Sequence, residues 1–330
     1  MKPTDLTFRL DESVRAGILR LVDRLVQSVV DRSITPGCDR SEDVHTVRTT
    51  IKRLRAFLRL IQPEITKIVF EREDLRLKEA ARRLSLARDR QVARQTLPAL
   101  AVSNKREQEA VVAALAGLEA DPQSESSIDE AMRQAAADLE QIRRSLHRLR
   151  FAGSEWNAIA PGLREVYRQG RKRMKTALAD GDDADFHKWR IRVKNLYYEL
   201  QLLEPIWGKR LSKMLSHLSK LQEKIGDDHD LVVLKSLLRK DPAAFGCTDA
   251  VEPIICSIEH KSRKLRRSIE PLGETIFAPS PALFVRKLGQ HWEVWRKGGA
   301  GRNGHSKLRH SEVAKAGANK KAVLQESSHS

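Results

Sequence analysis

The sequence predicts an all-α protein carrying an internal duplication, and three observations lead there. No stretch alternates apolar and polar residues with period two for long enough to make a strand, and β-branched runs are short. Apolar residues recur instead at helical spacing in one segment after another, with Pro or Gly marking many of the ends. Finally, Asp43 to Pro63, DVHTVRTTIKRLRAFLRLIQP, is echoed 142 positions later by Asp185 to Pro205, DFHKWRIRVKNLYYELQLLEP.

The elements follow in order. Residues 11–34 keep a helical period through Val14, Ile18, Leu21, Val22, Leu25 and Val29, and Pro36-Gly37 closes them. The next helix starts at Ser41 as N-cap and stops at Pro63; its apolar face is Val44, Val47, Ile51, Leu54, Leu58 and Ile61. A long helix is expected from Phe70 to about Leu97, before Pro98, then two more over 104–120 and 128–150, separated by DPQSESS. The second half repeats the order: a basic helix from Trp156 to Ala179, the His187 helix with Asp183 as its N-cap, and a long helix from about Lys209 to Arg239. Two further helices are expected at roughly 250–270 and at Pro281 to Lys297, the last anchored by Phe284, Trp292 and Trp295. The long helices answer each other at Leu77/Leu218, Leu84/Ile225, Asp89/Asp230 and Val92/Val233, one residue out of step with the first match. A duplication followed by a loop change leaves that signature. From Gly298 to Ser330 large apolar residues almost vanish, which predicts a disordered basic tail. Its GAGRNG at Gly299 to Gly304 matches G-x-G-x-x-G without a strand before it, a chance match.

Charge narrows the function. A net charge of +17 on 330 residues, with pI near 10.0, points to a polyanionic partner: nucleic acid, an anionic membrane or a phosphate polymer. Cys38, Cys247 and Cys256 form no CxxC pair and suggest neither a disulfide framework nor a zinc site. The N-terminus has no apolar leader and no segment reaches spanning length, so a cytoplasmic protein in a reducing compartment is expected.

At 100° per residue His45, Arg48, Lys52, Arg55 and Arg59 share an arc of roughly 80° beside the apolar face, and Arg53 on the same helix is a further candidate. His187, Arg190 and Lys194 occupy the same angular places in the second copy, continued by Tyr197 and Gln201. A cationic stripe on one helix is ordinarily a solvated face. Recurrence on both copies, with His first each time and few acids at i+4, favours a binding track. Arg168, Arg171 and Lys172, and Lys264 with Arg267 in the run Lys261 to Arg267, are further candidates, although those runs wrap around their helices.

With these residues in view the chain resembles the CHAD family, the conserved-histidine α-helical domain. The likeness rests on His45/Arg48/Lys52 and His187/Arg190/Lys194, each followed one helix later by an Asp-bearing segment, and on FHKWRIRVKNLYYELQLLEPIW and IGDDHDLVVL. It covers roughly residues 6–297, as repeats of about 6–150 and 154–297 within a single domain 1–297. The resemblance implies two pseudo-symmetric antiparallel helical bundles that bind inorganic polyphosphate along a basic groove or channel; some family members are associated with polyphosphate granules. Tyr197 stands where Arg55 stands in the first copy, so the second half is expected to contribute fewer charges.

The chemistry agrees with such a ligand. Polyphosphate carries about one negative charge per phosphate, and its site needs guanidinium and ammonium donors repeated along a track. Residues one turn apart rise about 5.4 Å along a helix, a spacing that can follow a phosphate chain. Asp89 and Asp230 are supporting candidates that would hold an arginine or histidine in place, with Tyr198 beside them; an ordinary surface carboxylate is the alternative reading. Two rivals stand. One makes the histidines metal ligands with His229 and Asp230, although Arg and Lys on the same faces oppose a dication. The other is single-stranded nucleic acid, disfavoured because the stripe between His45 and Arg59 contains no aromatic residue for stacking but kept open by Tyr197 and Tyr198 in the second half. No catalysis, cofactor or metal is expected, and no oligomeric state is implied.

Overall fold

A computed structural model describes residues 6–34, 40–84, 96–98, 100, 108, 111–112, 115, 125–240 and 248–298. Every regular element among them is helical. They are α1 (Val14–Ile34), α2 (Arg40–Leu60), α3 (Lys67–Arg83), α4 (Glu125–His147), α5 (Trp156–Asp180), α6 (Asp183–Leu202), α7 (Lys209–Lys240), α8 (Thr248–Phe277) and α9 (281–298), with short turns at Gln62–Glu64 and Glu204–Trp207.

The apolar stripes become the core. Ile18, Leu21, Val22, Leu25 and Val29 of α1, and Val47, Ile51, Leu54 and Leu58 of α2, are all buried in it. Each such side chain contributes about 1.5–3 kcal/mol on burial. Helices α1 to α4 pack on one another, and so do α5 to α8. Between these groups α2 lies against α5 and α6, so both histidine helices meet at a seam. Gly162 permits that approach: a Cβ there would stand 2.0 Å from the Leu60 carbonyl oxygen.

The α5–α6 connection is built from local chemistry. Gly181, at φ 67°, takes the left-handed position after α5 and donates its N–H to the Ala177 carbonyl. Asp182 then caps α6 by accepting from the Ala184 N–H. The cap lies one residue before the expected Asp183, whose carboxylate is engaged in ion pairs with Arg266 and Lys235. In the first copy Ser41 likewise falls inside the helix, which starts by Arg40.

Helix α8 also departs from expectation: it continues through Pro271 to Phe277 rather than ending near residue 270. Proline removes one backbone donor there. Beyond it Ile276 and Phe277 are buried, and the Tyr167 hydroxyl donates to the Ile276 carbonyl, so tertiary packing sustains the last turns. Helix α9 sets Trp292 against Phe8 and Trp156, tying the C-terminal helix to the start of the chain. A second apolar cluster joins Leu97, Leu100 and Val111 to α7 and α8 through Leu234, Ile254 and Ile258, so a first-half segment packs on second-half helices. The stretch 85–95, most of the expected helix over 104–120, and the tail after Gly298 lie outside the described residues. Among those described, no helix is long and apolar enough to cross a membrane.

Candidate functional site

The cationic edges of α2 and α6 open onto one cavity of about 290 Å³. From α2 it is lined by His45, Arg48, Lys52 and Arg55, and from α6 by His187, Arg190, Ile191, Lys194 and Asn195. Helix α7 completes it with His229, Asp230 and Val233. Among the described residues, five guanidinium or ammonium groups and three imidazoles therefore face a space containing one carboxylate.

The imidazoles report the sign of the field. His187 and His229 stand with their Nδ1 atoms 3.4 Å apart and ring centres 4.7 Å apart. Burial, followed by Arg190, His187, Lys194 and Lys52, pushes His229 from the ordinary value near 6.5 down to about 3. Burial and Arg190 also lower His187. Adding a proton here means adding positive charge to a place already crowded with it.

Contacts from neighbouring helices position the first-half arginines. The Arg48 guanidinium donates to the Ala81 carbonyl at the end of α3. Arg55 and Arg59 both donate to one oxygen of Asp74, each at 3.0 Å, and Lys78 reaches its other oxygen at 2.8 Å. Asp74 is almost wholly buried. Burial alone would raise its pKa, but Arg59, Lys78 and Arg55 outweigh it and hold the carboxyl at about 2. Asp89, the expected support in this half, lies outside the described residues. Its counterpart Asp230 does line the cavity.

Several candidates stand elsewhere. Arg53 lies over the ring of buried Tyr198, 5.4 Å from its centre, in a cation–π contact rather than on the cavity wall. Arg59 is drawn back to Asp74 and does not line the cavity. Arg168 is exposed and fork-bonded to Glu165 on its own helix, α5, which also carries Arg171 and exposed Lys172 outside the cavity. Lys264 borders a separate groove on α8 with Lys224, His260 and Lys261, and Arg267 is exposed on the same helix. Helical rotation sends these side chains to other faces. Tyr197 and Gln201, which continue the second-copy row, pair with each other and also stay outside the cavity wall.

Three residues at the seam carry no clear sequence signal. Asn195 is buried, lines the cavity, and its amide nitrogen has no hydrogen-bond partner among the described residues. Glu199, one turn on, is fully buried and has no hydrogen-bond partner for either oxygen among those residues; burial pushes its pKa well above the carboxylate range, against the smaller pull of Arg59 and Arg192. Arg192 adds a guanidinium close to Arg59, Arg173 and Arg55. A metal centre has less to work with: no group of three His, Cys, Asp or Glu side chains converges among the described residues.

Comparisons with known proteins bear on this arrangement. A search among curated proteins finds no match. Among solved structures, the chain is similar to one described as the crystal structure of the CHAD domain from the plant Ricinus communis. The TM-score is 0.60 at 18% identity, over 83% of this chain and 96% of that one, a likeness of fold. The CHAD domain family model matches residues 20–239, which hold both histidine helices and nearly all of α7; α8 and α9 lie beyond the matched span. By that match over more than half of its length, the chain belongs to the CHAD domain family.

Proposed function

We propose that the protein binds inorganic polyphosphate, without catalysis, in the cavity between α2 and α6. One observation carries the reading: the two H-x-x-R-x-x-x-K stripes, far apart in sequence, line the same cavity. Guanidinium groups suit bidentate contact with phosphate oxygens, and ammonium groups supply charge that adapts to a flexible chain. With one carboxylate among its described lining residues, the wall offers little to a cationic ligand. Its ring-bearing residues among those described are histidines, while Tyr198 is buried under Arg53; that favours a phosphate polymer over stacked bases.

The test is a titration with long-chain polyphosphate over a salt series. Affinity should fall steeply as salt rises, and the double variant Arg48→Glu/Arg190→Glu should lose binding while keeping its helical content. Equal affinity for single-stranded RNA, with no competition by polyphosphate, would replace this reading with the nucleic-acid one.

A further inference from the structure

We infer that the groove between α3 and α4 is a second anion site, which takes a free di- or triphosphate group between four arginines. Its wall carries Arg72 and Arg76 from α3, and Gln141, Arg144 and Ser145 from α4 with Arg148 just beyond it, around a space of about 370 Å³. No acidic side chain lines it among the described residues. The site is separate from the central cavity. At 100° per residue, Arg72 and Arg76 lie about 160° around α3 from Asp74, the residue that pairs with Arg55 and Arg59 of α2. The inference therefore stands whether or not the cavity binds polyphosphate.

Two of the four guanidinium groups are held by the fold. Glu73, fully buried, accepts from Arg72 at 2.7 Å, from Arg76 at 3.0 Å and from the Ser145 hydroxyl at 2.8 Å. Arg72 in turn donates to that hydroxyl, which ties the α3 pair to α4. The other two have no such task. Arg144 and Arg148 are exposed and make no hydrogen bond or ion pair with any described residue. Cations near a helix C-terminus commonly serve the carbonyls left open there. Here Arg15 of α1 does so, donating to the His147 and Leu149 carbonyls. One buried carboxylate among four guanidinium groups leaves the groove positive. A carboxylate ligand is satisfied by a single arginine fork, whereas a terminal phosphoryl group presents three oxygens and can be gripped from both helices. On each side the arginines are four residues apart, about 6 Å along a helix, so the pairs meet different phosphates of one short chain.

The test is isothermal titration calorimetry of full-length protein with inorganic triphosphate at fixed sodium chloride. Arg48→Glu/Arg190→Glu, which turns the central cavity against anions, should still bind about one equivalent. Adding Arg144→Gln/Arg148→Gln should weaken that binding at least about tenfold, the size of one hydrogen bond to a charged group. Arg144→Gln/Arg148→Gln alone should melt no lower than wild type, since it removes two like charges that hold nothing in the fold. At equal total phosphate, long-chain polyphosphate should bind the Arg48→Glu/Arg190→Glu protein far more weakly than triphosphate does, because it offers far fewer terminal groups. Four results overturn the inference: no triphosphate bound by Arg48→Glu/Arg190→Glu, undiminished binding once Arg144 and Arg148 are replaced, a lower melting temperature for Arg144→Gln/Arg148→Gln, or long-chain polyphosphate that matches triphosphate. If the fourfold variant does not fold, Arg144→Gln/Arg148→Gln in the wild-type background decides, by whether it loses one equivalent of triphosphate.

Discussion

Replacing His229 with Gln should change how stability depends on pH, by an amount the structure sets. The unfolded imidazole titrates near 6.5, while the folded one, buried among Arg190, His187, Lys194 and Lys52, titrates at about 3. Between those values the unfolded chain binds the proton and the folded one does not, so acidification favours unfolding. From about pH 8 to pH 5 this one group removes about 2 kcal/mol of stability. His187, also lowered, acts in the same sense, and Glu199, raised, acts in the opposite one. The wild-type curve is therefore a mixture, and the informative quantity is the wild-type minus His229→Gln difference at each pH. Urea unfolding followed by tryptophan fluorescence supplies it, with the urea dependence required to stay constant. The difference should move by about 2 kcal/mol against wild type across the window. Saturating polyphosphate should shrink that movement, because a bound polyanion favours the protonated ring. Parallel curves for the two free proteins would refute the claim that the cavity holds His229 neutral.

Two further substitutions test what positions the site. Asp74→Asn removes the carboxylate that holds Arg55, Arg59 and Lys78, and should cost about 3 kcal/mol in chemical denaturation at neutral pH. Because the Asp74 carboxyl sits at about 2 when folded and near 3.8 otherwise, that cost should fade as pH falls from about 4 through 2. Gly162→Ala puts a methyl carbon 2.0 Å from the Leu60 carbonyl oxygen, a backbone atom that cannot swing aside, and should also lose about 3 kcal/mol by the same measurement.

The parts of the fold legible in the sequence are those written on single helices. The stripes of α1 and α2 show their period directly, and the Val and Leu positions read as core are core. The end of α8 was hidden because Pro271 argues locally for a stop, and only the distant Tyr167 and the burial of Phe277 argue against it. The site divides in the same way. His45, Arg48, Lys52, His187, Arg190 and Lys194 could be read because their spacing repeats. Asp74 could not, since it stands in a run of mixed charges, EREDLRLKE, and its meaning comes from Arg55 and Arg59 on another helix. Arg168 and Lys264 sit in runs dense with charge, where composition alone does not tell which side of a helix faces a cavity.

A cavity of this kind has to keep a positive excess in a chain that also carries 44 acidic residues. At the seam the fold does so in two ways. Asp74 is shared among Arg55, Arg59 and Lys78, so one carboxylate positions three cations and leaves their sum positive. Glu199 lies between the influence of Arg59 and Arg192, yet burial raises its pKa, so it tends to stay uncharged rather than cancel either guanidinium. Were Glu199 ionised, its charge would offset part of the field felt along α6. A neutral Glu199 and a depressed His229 thus have a common cause: both groups are desolvated at the seam, and each is pushed toward its uncharged form. The cations that survive this selection are those whose charge burial does not readily remove, guanidinium groups above all, and these line the cavity from both helices.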